Sequence, residues 1–304
     1  MLTGSLLPRL IILLALLSAA CFVHFRGRVR LKFTRQLTDH STFTAPYNAL
    51  VYLFSGVPNK PFFQPDQFPD LQTLTANWEM IRDEGLALVE GGQVRAATGH
   101  NDVGFHTFFK RGWKRFYLKW YGHPIPSARA GCPKTVALLN TLPSVHGAMF
   151  TYLPAGGRIG AHRDPFAGSL RYHLGLKTPN SEKCWIAVDG EKASWRDGQA
   201  MVFDETYVHD ALNETDQDRL ILFCDFERPV QPIFRPINRW MIKNVMGATG
   251  APNVEGEKVG AINRFFERVY GVLDSGKKLK AKNRQLYYAL KYAVIIGVVA
   301  LFVI

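Results

Sequence analysis

His162, Arg163 and Asp164 stand in a row, and a further histidine, His209, lies on a later apolar segment. A spacing of two puts His162 and Asp164 on the same side of an extended backbone. A third ligand from a neighbouring strand would complete one face of an octahedron and leave the opposite face open. This is the two-histidine, one-carboxylate arrangement of iron(II) oxygenases, in which cosubstrate and dioxygen must share the metal with the protein. An HxD pair alone is common, and His209 alone fits a satisfied surface histidine equally well. Arg219 raises the interest of the set. It opens the apolar run 220–223, an odd place for a charge without a partner. A guanidinium buried there would grip a dicarboxylate bidentately, and the plainer alternative is a strand-edge salt bridge. Arg171 and His173, again two apart, share one face of another expected strand. They could bind 2-oxoglutarate or the substrate, although His173 by itself fits a core histidine as well.

Elements that could hold such a set are legible around it. From about residue 145, short apolar runs (148–153, 171–177, 184–188, 200–203, 207–212 and 220–226) alternate with turn-rich pieces such as Pro154-Ala-Gly-Gly157 and Asp197-Gly198. Several short strands with frequent turns predict an antiparallel sandwich or barrel. Upstream, 74–90 has helical apolar spacing, and 36–75 is rich in Pro and Phe and is expected to be extended. The stretch 108–121 interleaves aromatic with basic residues. It reads either as an ordinary strand pair with a basic outer face or as a surface that rests on a bilayer or guides acyl chains. A helix is expected near 263–273, followed by a basic linker.

The chain has 304 residues, 12% aromatic and 20% charged, so bulk disorder is excluded. Its net charge of +12 is concentrated beside two apolar ends. Arg26, Arg28, Arg30, Lys32 and Arg35 follow the apolar stretch 6–25. Lys277, Lys278, Lys280, Lys282 and Arg284 precede the stretch 287–304. Each stretch is about 27–30 Å long as a helix, enough to cross a hydrocarbon core of about 30 Å. Basic residues on the inner flank of both predict two spans, a cytoplasmic domain and both termini as short outer ends. The clusters are expected either to meet an anionic membrane surface or to act as topology signals only. A cleaved leader is the rival for the first stretch, but the apolar run continues past Cys21. No nucleic-acid motif is present. The four cysteines form no CxxC pair, in keeping with a reducing compartment. The expected domains are therefore a transmembrane helix (6–25), a basic, Pro-rich connector (26–75), a catalytic domain (76–235), a helical and basic linker (236–286) and a second transmembrane helix (287–304).

The stretch from about Asn77 to Pro229 resembles the aspartyl/asparaginyl β-hydroxylase family, and within it the bacterial branch that 2-hydroxylates lipid A acyl chains. The likeness rests on Asn77-Trp78-Glu79 with Ile81-Arg82, on Cys132-Pro133-Lys134-Thr135, on GAHRDPFAGSLRYHLGL (160–176) and on FDETYVHDALNETDQDRLILFCDFERP (203–229). It implies a mainly β fold: a double-stranded β-helix (jelly-roll, cupin-like) core with flanking helices and the two terminal spans. It implies that His162, Asp164 and His209 bind Fe(II) and that Arg219 binds the far carboxylate of 2-oxoglutarate. Arg171 and His173 match positions that contact the cosubstrate, and Thr151 matches a hydroxyl residue near the same carboxylate. Some protein-hydroxylating relatives lack the metal-binding carboxylate, which this chain has in Asp164. The implied reaction uses dioxygen to hydroxylate carbon 2 of a secondary acyl chain of lipid A at the cytoplasmic face. Ornithine lipid, Asp/Asn side chains of a protein, or a non-catalytic membrane-tethered jelly-roll sensor remain as alternatives.

Overall fold

The computed structural model describes residues 3–36, 39–97 and 99–303. A long helix α1 (Thr3–Phe25) is followed by short helices α2 (Phe33–Gln36), α3 (His40–Phe43) and α4 (Ala45–Leu53), strand β1 (Phe62–Phe63), and helices α5 (Gln72–Ala76) and α6 (Trp78–Glu90). Next come α7 (His106–Phe109), β2 (Lys114–Trp120), α8 (Pro126–Gly131) and α9 (Pro133–Asn140). The strands β3 (Val145–Leu153), β4 (Arg158–His162), β5 (Ser169–Lys177), β6 (Cys184–Val188), β7 (Glu191–Ser194), β8 (Ala200–Phe203), β9 (His209–Asn213) and β10 (Arg219–Glu227) then run without an intervening helix. Helices α10 (Arg235–Met241), α11 (Ala261–Lys282) and α12 (Arg284–Val303) close the chain.

Two antiparallel sheets form, in the orders β1-β8-β5-β10-β3-β2 and β4-β9-β6-β7. From β3 to β10 the chain crosses from one sheet to the other at every step except the β6–β7 hairpin. That winding is a jelly roll, and the expected sandwich or barrel is of this kind. The central strands explain why the sequence is so apolar there. On β10, Leu220, Leu222, Cys224 and Phe226 join the larger core cluster, which also takes in Ile81 and Leu88 of α6. The alternate residues face between the sheets: Ile221 enters a smaller cluster with Ile186, Trp195 and Phe203, while Arg219 and Phe223 line a cavity. Both faces of β10 are thus buried, and its buried charged residues Arg219 and Asp225 both point inward.

The region expected to be extended, 36–75, is instead folded onto the domain where it is described. Strand β1 extends the first sheet at β8, and α4 packs against α1 in an apolar cluster of Val23, Ala45, Val51, Tyr52, Ala167, Val230 and Phe234. The first basic cluster is likewise not simply a headgroup-facing flank. Arg26 is buried between the rings of Tyr52 and Tyr207, 3.9 and 3.8 Å from their centroids, and pairs with Asp204 at 2.6 Å. Arg28 pairs with Glu191. Gly27 makes this possible: its φ of +85° ends α1 in the left-handed region, and a Cβ there would stand 2.6 Å from Asp189 Oδ1. The backbone N–H groups of Arg28 and Val29 donate to that same oxygen, at 2.7 and 2.8 Å.

The stretch 108–121 resolves into α7 and the edge strand β2, on which Phe116, Tyr117, Leu118 and Trp120 are buried in the core. Among the described residues, one helix, Leu7–Phe25, is long and apolar enough to cross a membrane, with a mean hydropathy of 2.0. Helix α12 runs beside α1 and carries Arg284 and Lys291. Ile304, the last residue of the second expected span, lies outside the described residues.

Candidate active site

His162, Asp164 and His209 come together: one ligand atom from each lies within 4.8 Å of the others. His209 begins β9 and His162 ends β4, directly paired across the second sheet. The register between these strands shifts by one residue between Ile159 and His162. Strict alternation from the inward-facing Ile159 would turn Ala161 inward and His162 away; the irregularity reverses that parity. Asp164 lies just past β4, where its backbone N–H donates to the Glu205 carbonyl at 3.0 Å.

Each histidine is oriented by its own backbone. His162 Nδ1 is 2.8 Å from the Gly160 carbonyl, and His209 Nδ1 is 3.0 Å from the Tyr207 carbonyl. A carbonyl only accepts, so Nδ1 carries the proton in both rings and both Nε2 lone pairs are left for the cavity. Burial, and then the neighbouring His209, depress the His162 pKa to about 3, and burial lowers that of His209. Burial alone would raise the Asp164 carboxyl, but Arg171 and the two imidazoles outweigh it and hold it well below the usual range. Two neutral imidazoles and an ionised carboxylate are the protonation states a divalent metal requires. The donor set therefore fits an iron(II) ion with open positions.

Arg219 faces the same cavity. Its side chain is buried, its plane lies over Trp195 at 4.2 Å, and its Nη2 donates a long bond of 3.4 Å to Thr151 Oγ1. Among the described residues no carboxylate pairs with it, Nε has no hydrogen-bond partner, and burial depresses its pKa to about 10. The strand-edge salt bridge considered from the sequence is not formed. Arg171 and His173 also line the cavity. Arg171, however, is engaged by two carboxylates: Nη1 meets Asp164 Oδ2 at 2.5 Å, while Nε and Nη2 meet Asp225 Oδ1 at 3.0 and 2.9 Å. It is placed to hold the Asp164 carboxylate. His173 receives a long 3.4 Å hydrogen bond from Trp195 Nε1, and its Nε2 is buried without a partner. Burial and the two arginines keep its imidazole neutral.

Sequence reasoning did not single out Trp195, which supports both Arg219 and His173, nor Asp225, the anchor of Arg171. Asp225 had a signal, a lone acid in an apolar strand; Trp195 had none. Phe105, Phe108 and Trp113 form the apolar wall, with the Phe108 ring 4.8 Å from that of His162. The cavity they share with the polar groups opens to solvent.

A jelly roll with two imidazoles, a carboxylate and an unpaired guanidinium converging in one cavity defines a dioxygenase-type hydroxylase. The aspartyl/asparaginyl β-hydroxylase family model matches residues 75–229, and the chain belongs to that family. It is 38% identical over 134 residues to the ornithine lipid ester-linked acyl 2-hydroxylase of Rhizobium tropici, a match covering 44% of this chain and 47% of that protein. To human aspartyl/asparaginyl beta-hydroxylase it is 28% identical over 195 residues, covering 62% of this chain and 25% of that one. The chain thus spans half or less of the length of these relatives. Among solved structures, a Pseudomonas putida prolyl-4-hydroxylase aligns over 50% of this chain and 87% of its own, with 18% identity and a TM-score of 0.36.

Proposed function

We propose that this protein is an Fe(II)- and 2-oxoglutarate-dependent hydroxylase of a membrane acyl lipid, acting on carbon 2 of a secondary acyl chain of lipid A at the cytoplasmic face of a bacterial inner membrane. The observation that carries the cofactor assignment is the pairing, within one cavity, of the His162–Asp164–His209 cluster with a buried guanidinium that lacks a carboxylate. When bound, iron(II) together with 2-oxoglutarate and dioxygen supplies the oxidant that converts a C–H bond to C–OH, with succinate and carbon dioxide as coproducts. The chain supplies position. Arg219 receives the far carboxylate of the diacid, with the Thr151 hydroxyl beside it, and the partnerless Nε2 of His173 faces the same space. Arg171 keeps the Asp164 carboxylate fixed and ionised. Phe105, Phe108 and Trp113 give the reacting end an apolar, water-poor wall suited to an acyl chain.

The apolar helix at Leu7–Phe25 supports membrane residence. The proposal includes a second span at 287–304, for which the support is that α12 runs alongside α1. It also includes the domain limits 76–235 for the catalytic unit, now with 26–75 folded onto it. The likeness to an ornithine lipid acyl 2-hydroxylase favours one second reading, ornithine lipid as substrate. Mass spectrometry of lipids from cells carrying the wild-type or the Asp164→Ala protein tests both. One added oxygen on lipid A, lost in the variant, is the expected result. The same change on ornithine lipid selects the second reading, and no added oxygen on either lipid refutes acyl-lipid hydroxylation.

A further inference from the structure

Helix α1 does not end in a free tether. Ala19, Ala20 and Val23 pack against the cluster formed by α4 and the turn at Val230 and Phe234. Phe54, just past α4, stacks on Phe234 with centroids 5.2 Å apart. From Ala19 to Phe25 is about 9 Å along a helix, and the whole apolar segment Leu7–Phe25 is about 28 Å. A hydrocarbon core of about 30 Å therefore needs those last turns inside it. Whatever packs on them is carried to the same depth.

The segments that pack there expose apolar side chains outward. Leu50 and Leu53 of α4 are 45% and 69% exposed, and Ile233, Ile237 and Trp240 on and beside α10 are 76%, 50% and 59% exposed. Arg235, Arg239 and Lys243 are exposed on the same stretch. An apolar ridge with an interfacial tryptophan and adjoining cations matches the acyl–headgroup boundary of an anionic leaflet in both polarity and charge. We infer that α4 and α10 form a plate embedded in that boundary around the base of α1, so the domain sits in the leaflet instead of hanging beneath it. This rests on α1 spanning the membrane and is independent of which lipid is hydroxylated.

The test uses the full chain carrying Cys21→Ser, with its three remaining cysteines buried, in vesicles of phosphatidylethanolamine and phosphatidylglycerol. Single spin labels are placed at Leu53→Cys and Ile237→Cys, with Leu14→Cys in α1 and Asn140→Cys on α9 as references. The ratio of dissolved-oxygen to water-soluble nickel-chelate accessibility is expected to exceed one at 14, 53 and 237 and to fall below one at 140. Labels at both 53 and 237 reading as low as 140 overturn the plate, whatever 14 shows. A low value at 14 refutes the span and with it the plate around its base, and leaves the enzymatic assignment untouched.

Discussion

Replacing Arg219 with Met is expected to stabilise the ligand-free protein while disabling it. Burial moves the guanidinium from 12.5 to about 10 with no carboxylate to offset the loss. At 1.36 kcal/mol per pKa unit, keeping that charge buried costs about 3 kcal/mol. The sign follows from linkage: a base with a depressed folded pKa bears its full cost below about 10, so the cost is complete at neutral pH and is relieved only as pH rises toward 12.5. Methionine removes it but gives up the stacking on Trp195, worth about 1 kcal/mol. The net gain of about 2 kcal/mol corresponds to a rise in Tm of about 4–8 °C. In the same variant, a dicarboxylate loses a charge-assisted pair worth about 3 kcal/mol, a factor of about 10² in the KM for 2-oxoglutarate. Thermal denaturation with and without 2-oxoglutarate reads both effects. Wild-type Tm rises with the diacid, whereas the variant starts higher and does not respond. A variant that melts lower than wild type and still responds fully to the diacid would refute the reasoning.

Cobalt(II), followed by its visible absorption, should bind wild type and Arg219→Met alike but bind His162→Ala, Asp164→Ala and His209→Ala at least about tenfold more weakly; equal binding by all five removes the metal centre. His162, with its folded pKa near 3 against 6.5 for the free side chain, contributes stability that is full above about 6.5 and is lost as pH falls toward 3. Tm should therefore drop through the acid range, and His162→Asn should flatten the dependence by up to one proton, about 1.4 kcal/mol per pH unit; an unchanged slope contradicts the assignment. Asp204 is buried between Arg26 at 2.6 Å and Arg228 at 2.8 Å. Asp204→Ala leaves two buried cations facing each other and should cost about 3–5 kcal/mol, more than Arg26→Met; chemical denaturation showing the reverse order would be fatal to that account.

The jelly roll was readable because short apolar runs alternate with turns: 220–226 is apolar but for Asp225, 171–177 sets Tyr172, Leu174 and Leu176 against Arg171 and His173, and β10 and β5 fall on them. Strands β4 and β7 were not expected. Arg158–His162 and Glu191–Ser194 are short and half-polar, and their pairing is imposed by neighbours, not by propensity. The residues of the cluster were legible by type and spacing, but how His162 turns inward was not. The register shift on β4 is a property of two strands together. Arg26 was misplaced for a related reason. A basic residue after an apolar helix has the same sequence signature whether it meets lipid phosphate or a buried Asp204, which lies 178 residues further along the chain. The role of Arg171 also depends on partners: its spacing from His173 showed that they share a face, but not that two acids would occupy it.

Arg163, between two members of the metal cluster, points the other way. Its Nη1 donates to the Val23 carbonyl at 2.5 Å and its Nη2 to the His24 carbonyl at 3.4 Å, at the end of α1. Trimming the chain at residue 25 to obtain a water-soluble enzyme would leave that buried cation without those two acceptors, one residue away from His162 on one side and Asp164 on the other. A shortened form should purify with scattered, weakly metallated sites even where its β-sandwich survives. The intact helix, kept in detergent or a nanodisc, is for this catalyst a brace behind the strand end that carries His162 and Asp164.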